Sequence, residues 1–116
     1  MRDPDTLLPL KPDVFLILTI LAGEDQYGYG IMQTAYSWSE GRIELQAGAL
    51  YRRLKWMLDE ELIQEMGEHA TPGTERRRYY RITPYGRQVA HAEARRMGEL
   101  LAAARHVELV ADGEGA

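Results

Sequence analysis

The sequence contains no cysteine. Disulfides and thiolate metal sites are therefore excluded, which suits a reducing cytoplasm. Long apolar runs are missing too. The longest, VFLILTILA at residues 14–22, is far short of the roughly 20 residues that cross a bilayer, so no membrane partner is expected. The opening MRDPDTLLPLKP carries Asp3 and Asp5 and lacks the apolar core of a secretory signal. Net positive charge is also lacking: the formal value is −4, which argues weakly against indiscriminate nucleic-acid binding. His69, His91 and His106 are scattered and do not form the facing set that a metal needs. Neither a serine–histidine–acid set nor a glycine-rich phosphate loop is present. An enzyme, a cofactor and a metal site are accordingly not expected.

What is present is charge segregated by sign. Acids gather in LDEEL at residues 58–62 and in the tail ELVADGEGA. Bases gather at Arg42, Arg52, Arg53 and Lys55, and again at Arg76, Arg77, Arg78 and Arg81. For a polyanionic partner the sign of one face counts for more than the total. At 116 residues, 45% hydrophobic and 28% charged, the chain suits a single folded domain with a modest core.

Residues 1–9 read as a flexible arm. Pro12 and Asp13 suit the first turn of a helix through VFLILTILA, with Gly23 as its stop. That helix is apolar on nearly every side, which implies burial on two fronts, one its own core and the other open to a second subunit. GEDQYGYG reads as a turn, residues 28–39 as a second helix with Ile31, Met32 and Ala35 on one face, and residues 42–45 as a short β-like segment. Residues 47–60 form a third helix whose stripe is Leu50, Leu54, Met57 and Leu58. Arg52 and Trp56 point away from that stripe, Arg53 lies on its flank, and Gly48 and Ala49 leave the helix start bare. LIQEMGEHA and ERRRYYRI read as a hairpin joined by TPGT, with Arg77, Tyr79 and Arg81 on one face of the return strand and Arg78, Tyr80 and Ile82 on the other. Thr83 and Pro84 open a final helix to about residue 109, with Met97, Leu100, Leu101, Ala104 and Val107 as its apolar stripe.

The expected fold is mainly α with a small β-wing (α+β): a winged helix-turn-helix followed by a long C-terminal dimerisation helix. The units are an arm at 1–9, a DNA-binding domain at 10–82, the dimerisation helix at 83–109 and a disordered tail at 110–116. In such a plan the second helix of the pair enters the major groove, and arginines beside phosphates gain affinity by releasing counterions. The bland alternative is that the arginines form a solvated helix face and a charged strand edge.

YGYGIMQ, GALYRRLKWMLDEELI and ERRRYYRITPYG, in this order and spacing, resemble the PadR family of bacterial transcriptional regulators over residues 10–107. The resemblance implies a dimeric repressor bound to a palindromic double-stranded DNA operator. It implies DNA contact by Gln46, Ala49, Tyr51, Arg52 and Arg53, and by Arg76, Arg77 and Arg78 on the wing; the chemistry of arginine adds the expectation that Arg52 or Arg53 reads a guanine edge. It further implies a homodimer in which the C-terminal helix packs on the partner's first helix, through Val14, Phe15, Leu18, Met97, Leu100, Leu101, Ala104 and Val107. Many relatives answer to small aromatic or lipophilic molecules, and Trp38, Trp56 and Met97 are the candidates to touch such an effector. Three positions depart from the family pattern: Tyr27 stands for a frequent histidine, Ala49 for a threonine, and Glu61 for the glycine that usually ends the recognition helix. The rival expectation is a winged-helix module that binds protein through aromatics such as Trp56 and does not touch DNA.

Overall fold

The computed structural model describes residues 2–69 and 77–111. Pro12, whose missing N–H costs nothing at a helix start, opens α1 (Pro12–Gly23) after Lys11, and Glu24 leaves it in extended geometry. Val14, Ile17, Leu18, Ile20 and Leu21 are buried along α1. The two-front burial expected of this helix is met within one chain. α1 packs against α2 (Gly28–Trp38) and the strand β3 (Arg77–Ile82), and also against α4 (Pro84–His106). Val14 and Leu18, expected at a subunit interface, are therefore enclosed by their own chain at 2% and 0% exposure. Phe15 stays half-buried at the edge of the core.

The first residues are fastened rather than loose. Asp3 caps a 3-10 turn at Pro4–Leu7 by accepting from the Asp5 N–H at 2.9 Å, and this turn packs on α4. Leu10 is buried, and its N–H donates to Glu93 Oε2 at 2.6 Å. Arg2 donates to Glu60 Oε2 at 2.9 Å and lies 4.9 Å from the centroid of the Tyr85 ring.

The sheet is three-stranded and antiparallel in the order β1–β3–β2, with β1 at Gln26–Tyr27 and β2 at Ile63–His69. The β2–β3 hairpin is the expected wing. Tyr80 and Ile82 face the core, and Gly67, with φ +83°, sits in a bulge between Glu65 and Glu68 where a left-handed residue is required. The third strand is not where the sequence suggested. The edge of β3 is taken by β1, in register Gln26↔Tyr80 and Tyr27↔Tyr79. Residues 42–45 form no strand, because they leave a left-handed turn at Glu40 and Gly41 and find no edge to pair with. The tip of the wing, including TPGT and Arg76, and the tail from residue 112 lie outside the described residues.

α3 (Ala47–Asp59) buries Leu50, Leu54 and Met57 as its period dictates. It ends with Leu62 N–H on Met57 O at 2.9 Å and Glu61 at φ +62°. Glu61 thus adopts the left-handed geometry for which glycine is the usual choice, so the helix end keeps its shape despite the substitution. Thr83 joins this end to α4. Its hydroxyl donates to Glu61 O at 2.6 Å and accepts from the Gly86 N–H at 2.9 Å. α4 stops at His106, short of the expected 109, where the chain turns through Glu108 at φ +62°.

Candidate nucleic-acid interface

α3 is anchored by its apolar stripe and leaves the opposite side uncovered. Gln46, its N-cap, is exposed, as are Gly48, Tyr51, Arg52 and Trp56, and Ala49 is half-buried. Long helical side chains lean back toward the N-terminus. Arg52 does so: its Nη1 lies 3.6 Å from where a Cβ on Gly48 would stand. Its guanidinium therefore hangs over the bare helix start. Among the described residues Arg52 and Arg42 have no ion-pair or hydrogen-bond partner.

Its neighbour Arg53 is placed differently. Arg53 Nε donates to Asp13 Oδ2 at 2.8 Å, with the two side chains 34% and 27% exposed. The Arg53 charge is thus tied to α1, which sets it apart from Arg52. Tyr51 is half in each world, as its helical angle implied. Its ring is 51% exposed, yet its hydroxyl lies so close to Gly28 that a Cβ there would stand 2.5 Å away.

The wing stands beside α3, and its Arg78 and Arg81 are held. Arg78 Nη1 meets Glu65 Oε1 at 3.5 Å across the strands. Arg81 grips Asp25 with Nε and Nη2, the latter at 2.7 Å, and the carboxylate raises the guanidinium pKa further above its ordinary value. Such a fork ties the wing base to the α1–α2 turn. Tyr79 is half-buried against Tyr27, ring centroids 5.4 Å apart, and Tyr80 is the tyrosine in the core, its hydroxyl pKa raised by burial first and by Glu65 next. Arg77 contributes its backbone to β3.

Asp13 and Asp25 were missed as site residues by sequence reasoning. Asp13 carried a helix-dipole signal, but nothing in the sequence tied it to Arg53. Of the expected interface residues on α4, Met97, Leu101 and Ala104 are half-buried, while Leu100 and Val107 are 58% and 63% exposed. Trp38 ends α2 at 56% exposure, and Met97 sits midway along α4. Among the described residues no metal-binding cluster occurs, and no helix is long and apolar enough to cross a membrane.

The family model described as "Transcriptional regulator PadR-like family" matches residues 17–92. The chain belongs to that family. PadR-like proteins are transcription regulators, not enzymes. No curated protein matches the sequence. Among solved structures, a transcriptional regulator from Clostridium thermocellum superposes with a TM-score of 0.71 at 22% identity, over 84% of this chain and 90% of that one. A PadR-like regulator from Bacillus cereus gives 0.69 at 23% identity, over 81% and 88%. Bacillus subtilis PadR, solved in complex with operator DNA, gives 0.63 at 21% identity, over 72% of this chain and 47% of that one. The PadR-like winged-helix fold is thereby shared, with the matched region ending within α4.

Proposed function

We propose that this protein is a DNA-binding repressor of the PadR type. It acts in the cytoplasm as a homodimer on a palindromic operator and is released by a small lipophilic or aromatic effector. α3 enters the major groove, Gln46, Ala49, Tyr51 and Arg52 face the bases and nearby phosphates, and the hairpin follows the backbone. The observation that carries this is Arg52: a guanidinium with no partner among the described residues, over the bare start of a helix whose other side is locked into the core. Bidentate guanidinium contact with a guanine edge is the commonest specific pairing in that groove. That Bacillus subtilis PadR, a structural relative, is solved in complex with operator DNA supports DNA as the partner.

The test is a gel shift with DNA from upstream of the chain's own gene, run at two salt concentrations. Affinity should fall steeply with salt, as phosphate neutralisation demands. Arg52→Ala should lose about 1–3 kcal/mol at one base position and little on scrambled DNA. A uniform loss across sequences would make Arg52 a phosphate clamp, and no shift at either salt would sink the proposal. The second reading, a protein-binding module, draws on Tyr29, Tyr36 and Trp38, which leave 57%, 53% and 56% of their surface on the outside of α2. It would gain if DNA failed to bind while alanine at Tyr29 and Tyr36 abolished a protein contact.

A further inference from the structure

A groove of about 460 Å³ runs along the outside of α2, walled by Tyr29, Met32, Gln33, Tyr36, Glu44 and Leu45. Tyr29 and Tyr36 are seven positions apart, which puts both on one face of the helix, about 10 Å apart along its axis. Met32 and Leu45, half-buried against the core, supply the apolar part of the groove. Tyr36 is set in place by the turn that follows α2. Its ring lies against Gly41, where a Cβ would stand 3.2 Å from it, and its carbonyl accepts from the Gly41 N–H at 2.8 Å.

The walls select the occupant. Both tyrosines leave more than half of their surface in water, whereas small-molecule sites enclose most of their ligand. The groove is therefore too open for a small guest and suits a chain laid along α2. The electron-rich faces of two phenol rings attract cations. Glu44 is exposed and has no ion-pair or hydrogen-bond partner among the described residues. None of the walls is basic, and Glu40, in the turn on which Tyr36 rests, adds a second exposed carboxylate. A phosphate backbone meets the wrong sign here, and a guanidinium or ammonium meets the right one.

We propose that this groove docks a basic segment of another protein, two of its arginine or lysine side chains lying over Tyr29 and Tyr36 and one of them donating to Glu44. A spacing of about 10 Å matches residues three apart in a polyproline-II segment, which rises about 3.1 Å per residue and returns to the same face at every third position. The contact gives the aromatic face of α2 a ligand chemistry. It uses neither Arg52 nor the start of α3, so it stands or falls independently of DNA recognition.

The probe is the blocked peptide Gly-Arg-Pro-Pro-Arg-Gly, with Gly-Gln-Pro-Pro-Gln-Gly as its neutral counterpart, titrated into the full chain by NMR. The arginine peptide should bind saturably, shift amides of α2 and of residues 40–45, and bind about tenfold tighter than the glutamine peptide. Tyr36→Leu should weaken it about threefold to fivefold, while Tyr36→Phe, which keeps the ring face, leaves it unchanged. Glu44→Gln should weaken it about threefold. Glu99→Gln, which removes the same charge from an exposed position on α4, should have no effect. Equal affinity for the two peptides, equal losses in the two glutamine variants, or undiminished binding to Tyr36→Leu would each overturn the proposal. So would argininamide binding as tightly as the peptide, which would make the groove a small-cation site. A changed oligomeric state of Tyr36→Leu in light scattering would also overturn it, by making the face a seam between copies. Gel shifts on the same variants should show DNA affinity unchanged; a joint loss of peptide and DNA would assign the face to DNA instead.

Discussion

Single residues decide more here than their types suggest. Glu61 holds φ +62° at the end of α3, a geometry that costs a side-chain-bearing residue about 1–2 kcal/mol. Glycine would remove that cost but would loosen the unfolded chain by about 0.4–1 kcal/mol. The first effect is the larger, so Glu61→Gly should gain about 0.5 kcal/mol, seen as a melting temperature higher by about 2–4 °C. Circular-dichroism melting checks this, and an unchanged or lower midpoint would mean that the glutamate side chain contributes stability of its own. Arg52 and Arg53 teach the converse lesson. Adjacent in sequence and alike in charge, they differ because Asp13, on another helix, holds one and not the other. Helical angle placed Arg52 away from the apolar stripe of α3 and Arg53 on its flank, but gave neither a partner. The choice between them was illegible, since an ion pair across 40 positions of sequence leaves no local trace.

At the level of elements, the wing and the final helix are clamped to the end of α3 through one close approach. A Cβ on Gly86 would stand 2.1 Å from the Leu62 carbonyl oxygen, and a backbone atom cannot step aside. Gly86→Ala should therefore destabilise by about 3 kcal/mol, the upper end for overpacking, and lower the denaturation midpoint with little change in its slope. A second clamp is sensitive to pH. Glu93 is buried and its carboxyl is held below the ordinary carboxylate range by Arg96, with the Leu10 N–H assisting against the opposing effect of burial. A depressed folded-state pKa means that the stabilisation is complete above the unfolded value, about 4.3. It is lost as pH falls below that value through the folded one. Melting curves should show an acid-side loss that Glu93→Gln flattens, and a parallel acid dependence in the mutant would assign the loss to other carboxylates. The helices were legible because their apolar period and their capping residues agree; Thr83 and Pro84 open α4 as read. β1 was not legible, because two residues carry no alternation and are extended only by pairing with β3. The partner of α1 was misassigned for a related reason: an all-apolar helix shows that it is covered, but not by what.

On the scale of the whole molecule, the proposed operator binding sets a formal charge of −4 against a face that must approach phosphates, and the proposed homodimer would ease the conflict by presenting two such faces to one duplex. A two-fold operator requires a two-fold protein. With 23 residues, α4 is about 35 Å long, and its buried residues, Gly86, Val89 and Glu93, all lie in its first half, the helix packing on α1 and on the 3-10 turn at Pro4–Leu7. Beyond Met97 the helix carries Leu100 at 58% exposure, and just past its end stand Val107 and Leu109 at 63% and 78%. Exposed apolar side chains of this size, clustered at the C-terminal end of α4 and just beyond it, fit a self-complementary seam. Burying each in a dimer is worth about 1.5–3 kcal/mol, so Leu100→Glu with Val107→Glu should raise the dimer dissociation constant more than about 100-fold. Light scattering should then find monomers, while the helical circular-dichroism signal persists because both residues are outside the single-chain core. Operator affinity should fall far more than affinity for one half-site. A variant that stays dimeric would place the seam elsewhere, and a monomer that binds the full operator undiminished would show that two-fold symmetry contributes nothing to recognition.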